Sequence, residues 1–128
     1  MQKIMPDKTV LLSNPQNLLP SPIRARWCVS FFSRLRGFMF RKQLAHDEGL
    51  VLVEKRENRM DTSIHMLFVW TDLAVIWLNA EKQVVDTALA RAWHPFYAPS
   101  KPAQYTIEVH PDRLGEFRVG DIVEFLDA

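Results

Sequence analysis

Gly49-Leu50-Val51-Leu52-Val53-Glu54 is apolar at odd and even positions alike, so no solvent-facing side is left for a strand of period two. Such a run belongs in the middle of a sheet, covered on both faces. Downstream, Ser63 to Val69 and Leu73 to Leu78 read as two further strands around Thr71-Asp72, and Asn79-Ala80-Glu81-Lys82 turns the chain into a strand from Gln83 to Ala88. The polar run Glu54 to Arg59 reads as an exposed loop. Three prolines, Pro95, Pro99 and Pro102, keep Leu89 to Ala103 out of regular structure, which makes a long ordered loop. Alternation resumes over Gln104 to Val109, Pro111 opens a short helical turn to Phe117, and Gly120-Asp121 turns into a last strand, Ile122 to Leu126.

Upstream of the central run, Lys8 to Leu12 forms a first short strand, followed by a loop through Pro22. Residues 23 to 29 alternate, with Ile23, Ala25, Trp27 and Val29 on one face and Arg24, Arg26 and Cys28 on the other. Ser30 is placed to cap a helix whose apolar stripe is Phe31, Leu35, Phe38 and Met39. Gly37 is expected inside that helix, where another backbone approaches. Together these give about seven or eight strands and one principal helix. The fold class is α+β, mainly β, with an antiparallel sheet curled into a small barrel or sandwich. At 128 residues the chain supports one core. Residues 1–22 contribute an N-terminal strand and loop to the domain, and 23–128 form its body.

The net charge of +1 conceals an asymmetry: residues 1–60 carry 11 basic and 5 acidic side chains, and residues 61–128 carry 5 basic and 10 acidic. No acidic residue lies between Asp7 and Asp47, while Lys8, Arg24, Arg26, Arg34, Arg36, Arg41 and Lys42 do. A block of this kind is either an anion-binding face or one side of internal ion pairs. Its interleaved aromatics, Trp27, Phe31, Phe32, Phe38 and Phe40, also match the composition of single-strand nucleic-acid binders, although their helical spacing is that of a core stripe. The lone Cys28 excludes an intramolecular disulfide and points to a buried thiol. The N-terminus lacks the apolar core of a secretory signal, and 64–80 is too short and polar for a membrane span, so a cytoplasmic location is expected.

No nucleophile elbow, phosphate loop or dinucleotide fingerprint occurs, and no cofactor is implied. His46, His65, His94 and His110 form no close pair, so no metal motif is present and any metal site would have to be assembled wholly in three dimensions. His65 follows Ser63 and Asp61, but residues two apart on a strand hold their tips about 6 to 7 Å apart, which argues against a serine triad. The leading expectation is a non-enzymatic module that binds an anionic or polar small ligand, or a protein partner. Its contacts would come from Arg34, Arg36, Arg41 and His65 with Trp93, His94 and Tyr97 of the long loop. The alternative is an enzyme with His65 as general base beside Asp61 or Asp72. Single-stranded nucleic-acid binding through residues 24–42 ranks third.

Arg34-Leu35-Arg36-Gly37-Phe38-Met39-Phe40-Arg41, followed by Leu44 and Gly49-Leu50-Val51-Leu52, resembles the opening of the bacterial and archaeal family called domain of unknown function 192. Ser63-Ile64-His65, Val75-Ile76-Trp77-Leu78-Asn79, Val84-Val85, Ala103-x-Tyr105-x-Ile107-Glu108 and Gly120-Asp121 are similar to its later segments, so that the likeness runs over roughly residues 23 to 126. Two departures stand out. Val69-Trp70-Thr71-Asp72-Leu73-Ala74 replaces the family's Met-Arg-Phe-Pro-Ile-Asp, so its recurrent carboxylate is absent and Asp72 stands two residues early. His110-Pro111 replaces an Ala-Gly. The resemblance implies a compact, mainly β fold and no established activity.

Overall fold

A computed structural model describes residues 8–128, with the side chains of Phe31 and Phe32 outside the description. The strands are β1 (Thr9–Ser13), β2 (Arg24–Cys28), β3 (Glu48–Asn58), β4 (Leu73–Leu78), β5 (Val84–Ala90), β6 (Ala103–Val109) and β7 (Glu124–Asp127). One α-helix, α1 (Phe31–Arg36), follows β2, and a 3-10 helix spans Pro111–Glu116. The seven strands form one sheet in the order β5-β4-β6-β3-β2-β1-β7. The mainly β class therefore stands.

The expected antiparallel barrel or sandwich takes a different form. The sheet is mixed, because β2 and β3 run parallel, and it does not close. Among the described residues its two ends approach at an isolated bridge between Gln83 and Ile122, flanked by the Val123 N–H to Lys82 carbonyl bond of 2.9 Å and by Val84, whose N–H donates to the Asp121 carbonyl and whose carbonyl accepts the Gly120 N–H, both at 2.8 Å. The parallel pair follows from chain length: β2 and β3 are joined through α1 and a loop, long enough for a crossover where a hairpin would force antiparallel pairing.

The central run lies between β2 and β6, buried on both faces. Val51 belongs to one apolar layer, and Leu50 and Leu52 to the other. All six residues of β4 are buried, Ala74, Ile76 and Leu78 in the first layer and Leu73, Val75 and Trp77 in the second. Each fully buried aliphatic side chain of this kind contributes about 1.5–3 kcal/mol. Gly49 is required where β2, β3 and β6 converge: an added Cβ would lie 3.0 Å from Val109 Cγ1 and 3.2 Å from both the Glu108 carbonyl oxygen and Ile23 Cγ2.

Three local expectations are corrected. The polar run after Val53 continues β3 to Asn58, because β6 supplies it with a backbone partner again at Ala103 after a bulge. Residues 63–69 are not a strand; only Ile64 pairs, with Tyr97, and the segment folds across the second apolar layer with Ile64, Met66 and Val69 buried. Gly37 ends α1 instead of lying within it, at φ 45° and ψ −125°, a conformation open to glycine and not to L side chains. Ser30 caps α1 as expected, its hydroxyl oxygen accepting the Ser33 N–H at 3.1 Å. The stripe is only partly buried, since Phe38 is buried while Leu35 is 47% exposed. Val29 is likewise exposed although it follows the apolar face of β2. No helix among the described residues is long and apolar enough to cross a membrane.

Candidate functional site

On β6, Ile107 and Val109 join the first apolar layer, so Thr106 and Glu108 face the second. Glu108 stands opposite Leu50 of β3 and Val75 of β4, both buried apolar residues. Only 4% of it is exposed. Its carboxyl group has no hydrogen bond or ion pair with any described residue, and desolvation raises its pKa from 4.5 to about 7. Over this carboxyl opens a cavity of about 350 Å³. The walls come from the end of α1 and its turn (Arg34 to Met39), Leu52 and Glu54 of β3, residues 61–65, Val69, Leu73 and Thr106. The turn at Gly37 borders the carboxyl, where an added Cβ would reach van der Waals contact with Glu108 Oε1 at 3.4 Å.

The 61–65 wall is pinned from several sides. Buried Trp77 donates its indole N–H to the Thr62 carbonyl at 2.7 Å, and the Thr62 hydroxyl donates to the Asn58 carbonyl at 2.7 Å. Ile64 exchanges backbone bonds with Tyr97 at 2.8 and 2.9 Å. His65 Nε2 lies 3.3 Å from the Leu35 carbonyl oxygen and so bears the proton, tying this wall to α1, while its Nδ1 is buried with no partner among the described residues.

Of the residues singled out from sequence, Arg34, Arg36, Asp61 and His65 line the cavity; Arg41, Asp72, Trp93, His94 and Tyr97 do not. Arg34 is spent on Glu54, at 2.9 Å, and on the Val29 and Val53 carbonyls. Burial nonetheless holds Glu54 above its ordinary range, with Arg34 pulling the other way. Arg41 makes a two-pronged pair with Glu48, both bonds 2.8 Å, which holds that carboxyl below its usual range. The Arg36 guanidinium has no polar partner among the described residues. Asp72 pairs with Arg91 at 3.3 Å and accepts the Ala92 N–H at 2.9 Å, so it is not a partner for His65. Trp93 instead closes an exposed ring of aromatic contacts with Phe68, Phe40 and Trp70, with centroids 5.1 to 6.0 Å apart. His94 rests on Tyr97, whose hydroxyl oxygen accepts the Arg91 N–H.

The residue that sequence reasoning missed as a site candidate is Glu108. Its signal was a carboxylate between Ile107 and Val109, but Gln104, Thr106 and Glu108 alternate as the wet face of a half-buried strand would. What covers that face is the 59–71 segment, which has no regular pattern to announce it.

The DUF192 family model, described as Uncharacterized ACR, matches residues 13–125. A UPF0127 protein of Thermococcus kodakarensis is 41% identical over 98 residues, 75% of this chain and 60% of that protein. One from Thermococcus gammatolerans is 42% identical over 95 residues, 74% of this chain and 58% of that protein. The chain thus spans about three fifths of the length of these curated relatives. Two solved structures share the fold. A candidate transcription regulator from Sinorhizobium meliloti 1021 superposes with TM-score 0.79 at 18% identity, covering 97% of this chain and 98% of that one. A protein of unknown function from Novosphingobium aromaticivorans DSM 12444 gives 0.76 at 20%, covering 91% and 83%. With nearly its whole length matched in sequence and in architecture, the chain belongs to the DUF192 family.

Proposed function

We propose that this domain is a binding module whose cavity takes a small polar ligand that presents an amine or another hydrogen-bond donor to Glu108. The observation that carries this reading is the buried Glu108 carboxyl, which has no partner among the described residues and borders the cavity. A buried carboxylate without a partner is costly, and a donor from a ligand removes that cost. The volume of about 350 Å³ falls in the range of small-molecule sites. Phe38, Met39, Leu52, Val69 and Leu73 offer apolar cover for the ligand's carbon frame. An anionic ligand is the weaker fit, because Arg34 is neutralised by Glu54 and the remaining Arg36 is outnumbered by Asp61 and Glu108.

A second reading takes the same carboxyl as a general acid or base, since a group titrating near 7 is poised for proton transfer at neutrality. Both readings need Glu108, and a panel of small ligands separates them. Ligand-observed NMR on the full chain with primary amines, neutral amides and organic phosphates is expected to give amine or amide binding that disappears in Glu108→Ala. Preferential phosphate binding, or amine binding retained by Glu108→Ala, overturns the proposal. Turnover of a bound amide, lost in Glu108→Gln, favours the catalytic reading.

A further inference from the structure

His46 lies in the turn before β3, and His110 and Asp112 lie just after β6. Because β3 and β6 are antiparallel neighbours with Gly49 opposite Val109, the start of one and the end of the other meet at the same edge of the fold. The two imidazoles stack there, with centroids 3.7 Å apart. His46 Nε2 is 3.0 Å from Asp112 Oδ2, and His110 Nδ1 is 3.7 Å from the same oxygen. One ligand atom from each of the three residues falls within 4.8 Å of the others.

We propose that His46, His110 and Asp112 form a binding site for a divalent transition-metal ion of the zinc class. Ligands at about 2.0–2.1 Å from such an ion are separated by about 3 to 3.5 Å, which the two nitrogen–oxygen distances bracket. Two imidazoles and one carboxylate are a donor set suited to zinc, nickel or copper and poorly suited to magnesium or calcium. Three protein ligands leave further positions for water, and the exposure of His46 and Asp112 gives the ion a path in.

The backbone beneath the site is held in place. Buried Arg113 donates to the His46 carbonyl at 2.6 Å, the Ser21 carbonyl at 2.6 Å and the Pro22 carbonyl at 3.3 Å. Glu116, 2.9 Å from Arg113 Nε and from NH2, offsets the guanidinium charge that an ion would otherwise meet. Binding has three local costs: His46 Nε2 gives up the proton it donates to Asp112 Oδ2, the ion takes the lone pair with which His110 Nδ1 accepts the Asp112 N–H at 3.0 Å, and the stacked rings turn so that their in-plane lone pairs converge.

Untagged full-length protein titrated with Co²⁺ near neutral pH tests this by visible absorption, with Zn²⁺ competition and thermal melts alongside. The expected result is a 1:1 Co²⁺ spectrum, displaced by Zn²⁺, and a Zn²⁺-dependent rise in Tm. His46→Ala and Asp112→Ala should each weaken binding by at least about tenfold while melting like wild type in EDTA, whereas His94→Ala leaves binding unchanged. No Co²⁺ spectrum, or binding that survives both His46→Ala and Asp112→Ala, overturns the assignment. So does an equal loss in His94→Ala.

Discussion

The backbone of Gly37 packs against the carboxyl group of Glu108: a Cβ added at position 37 would sit 3.4 Å from Oε1, in a residue whose φ is 45°. At that distance a Cβ would make only van der Waals contact with the carboxyl, so it is the turn that ends α1 that depends on the absence of a side chain. Gly37→Ala is expected to destabilise the fold by about 1–3 kcal/mol, through strain at a conformation L residues avoid. A urea midpoint within error of wild type would contradict this.

Glu108 also sets a pH dependence of stability. Its pKa rises from 4.5 to about 7 on folding, so the native state binds this proton more tightly than the unfolded chain. Below pH 4.5 the group is protonated in both states and carries no penalty. Stability then falls as pH rises from about 4.5 to 7 and levels off above 7, at a full loss of about 3 kcal/mol. Glu108→Gln should lack this slope and exceed wild type in stability above neutrality. Denaturation curves for the two proteins at several pH values check it, and parallel pH profiles would contradict it.

Trp77 holds the 61–65 wall through its bond to the Thr62 carbonyl. Trp77→Phe keeps an aromatic ring in the layer but leaves that carbonyl unpaired, with a loss of about 1–3 kcal/mol from the missing bond. The Thr62 and Ser63 amides should exchange with solvent faster relative to those of β3. Uniform loss of protection across the chain would mean that Trp77 acts only through the core.

Arg113, only 2% exposed, joins the 3-10 helix to residues 21, 22 and 46. Arg113→Met removes the charge that pairs Glu116 and strands three carbonyls, so a loss of about 3–5 kcal/mol is expected. Arg36→Met, at an exposed guanidinium without a polar partner, should change stability by less than about 0.5 kcal/mol. Similar losses in the two variants, measured by denaturation, would contradict the assigned difference.

Gly49 to Glu54 and Leu73 to Leu78 were legible because a two-sided apolar run has one home in a β fold. Ser30 and Pro111 marked their helix starts by local chemistry, which tertiary context did not override. Residues 63–69 misled because β-branched and aromatic composition signals burial as well as pairing, and here the segment is buried without a ladder. Arg34 and Arg41 of the basic window are paired internally, and their partners, Glu54 and Glu48, lie in the same half of the chain, so the charge asymmetry between the halves did not reveal the pairs. His46 and His110 are 64 positions apart in sequence and become neighbours only through the β3–β6 register, which spacing alone does not encode.

A buried carboxyl with no partner among the described residues forms the floor of the cavity, and titration of the Glu108 side-chain carbon by ¹³C NMR tests this most directly. A midpoint near 7 in the free protein, moving downward when a bound amine supplies the missing partner, is the predicted result. A midpoint near 4.5, unmoved by any ligand, would contradict the account.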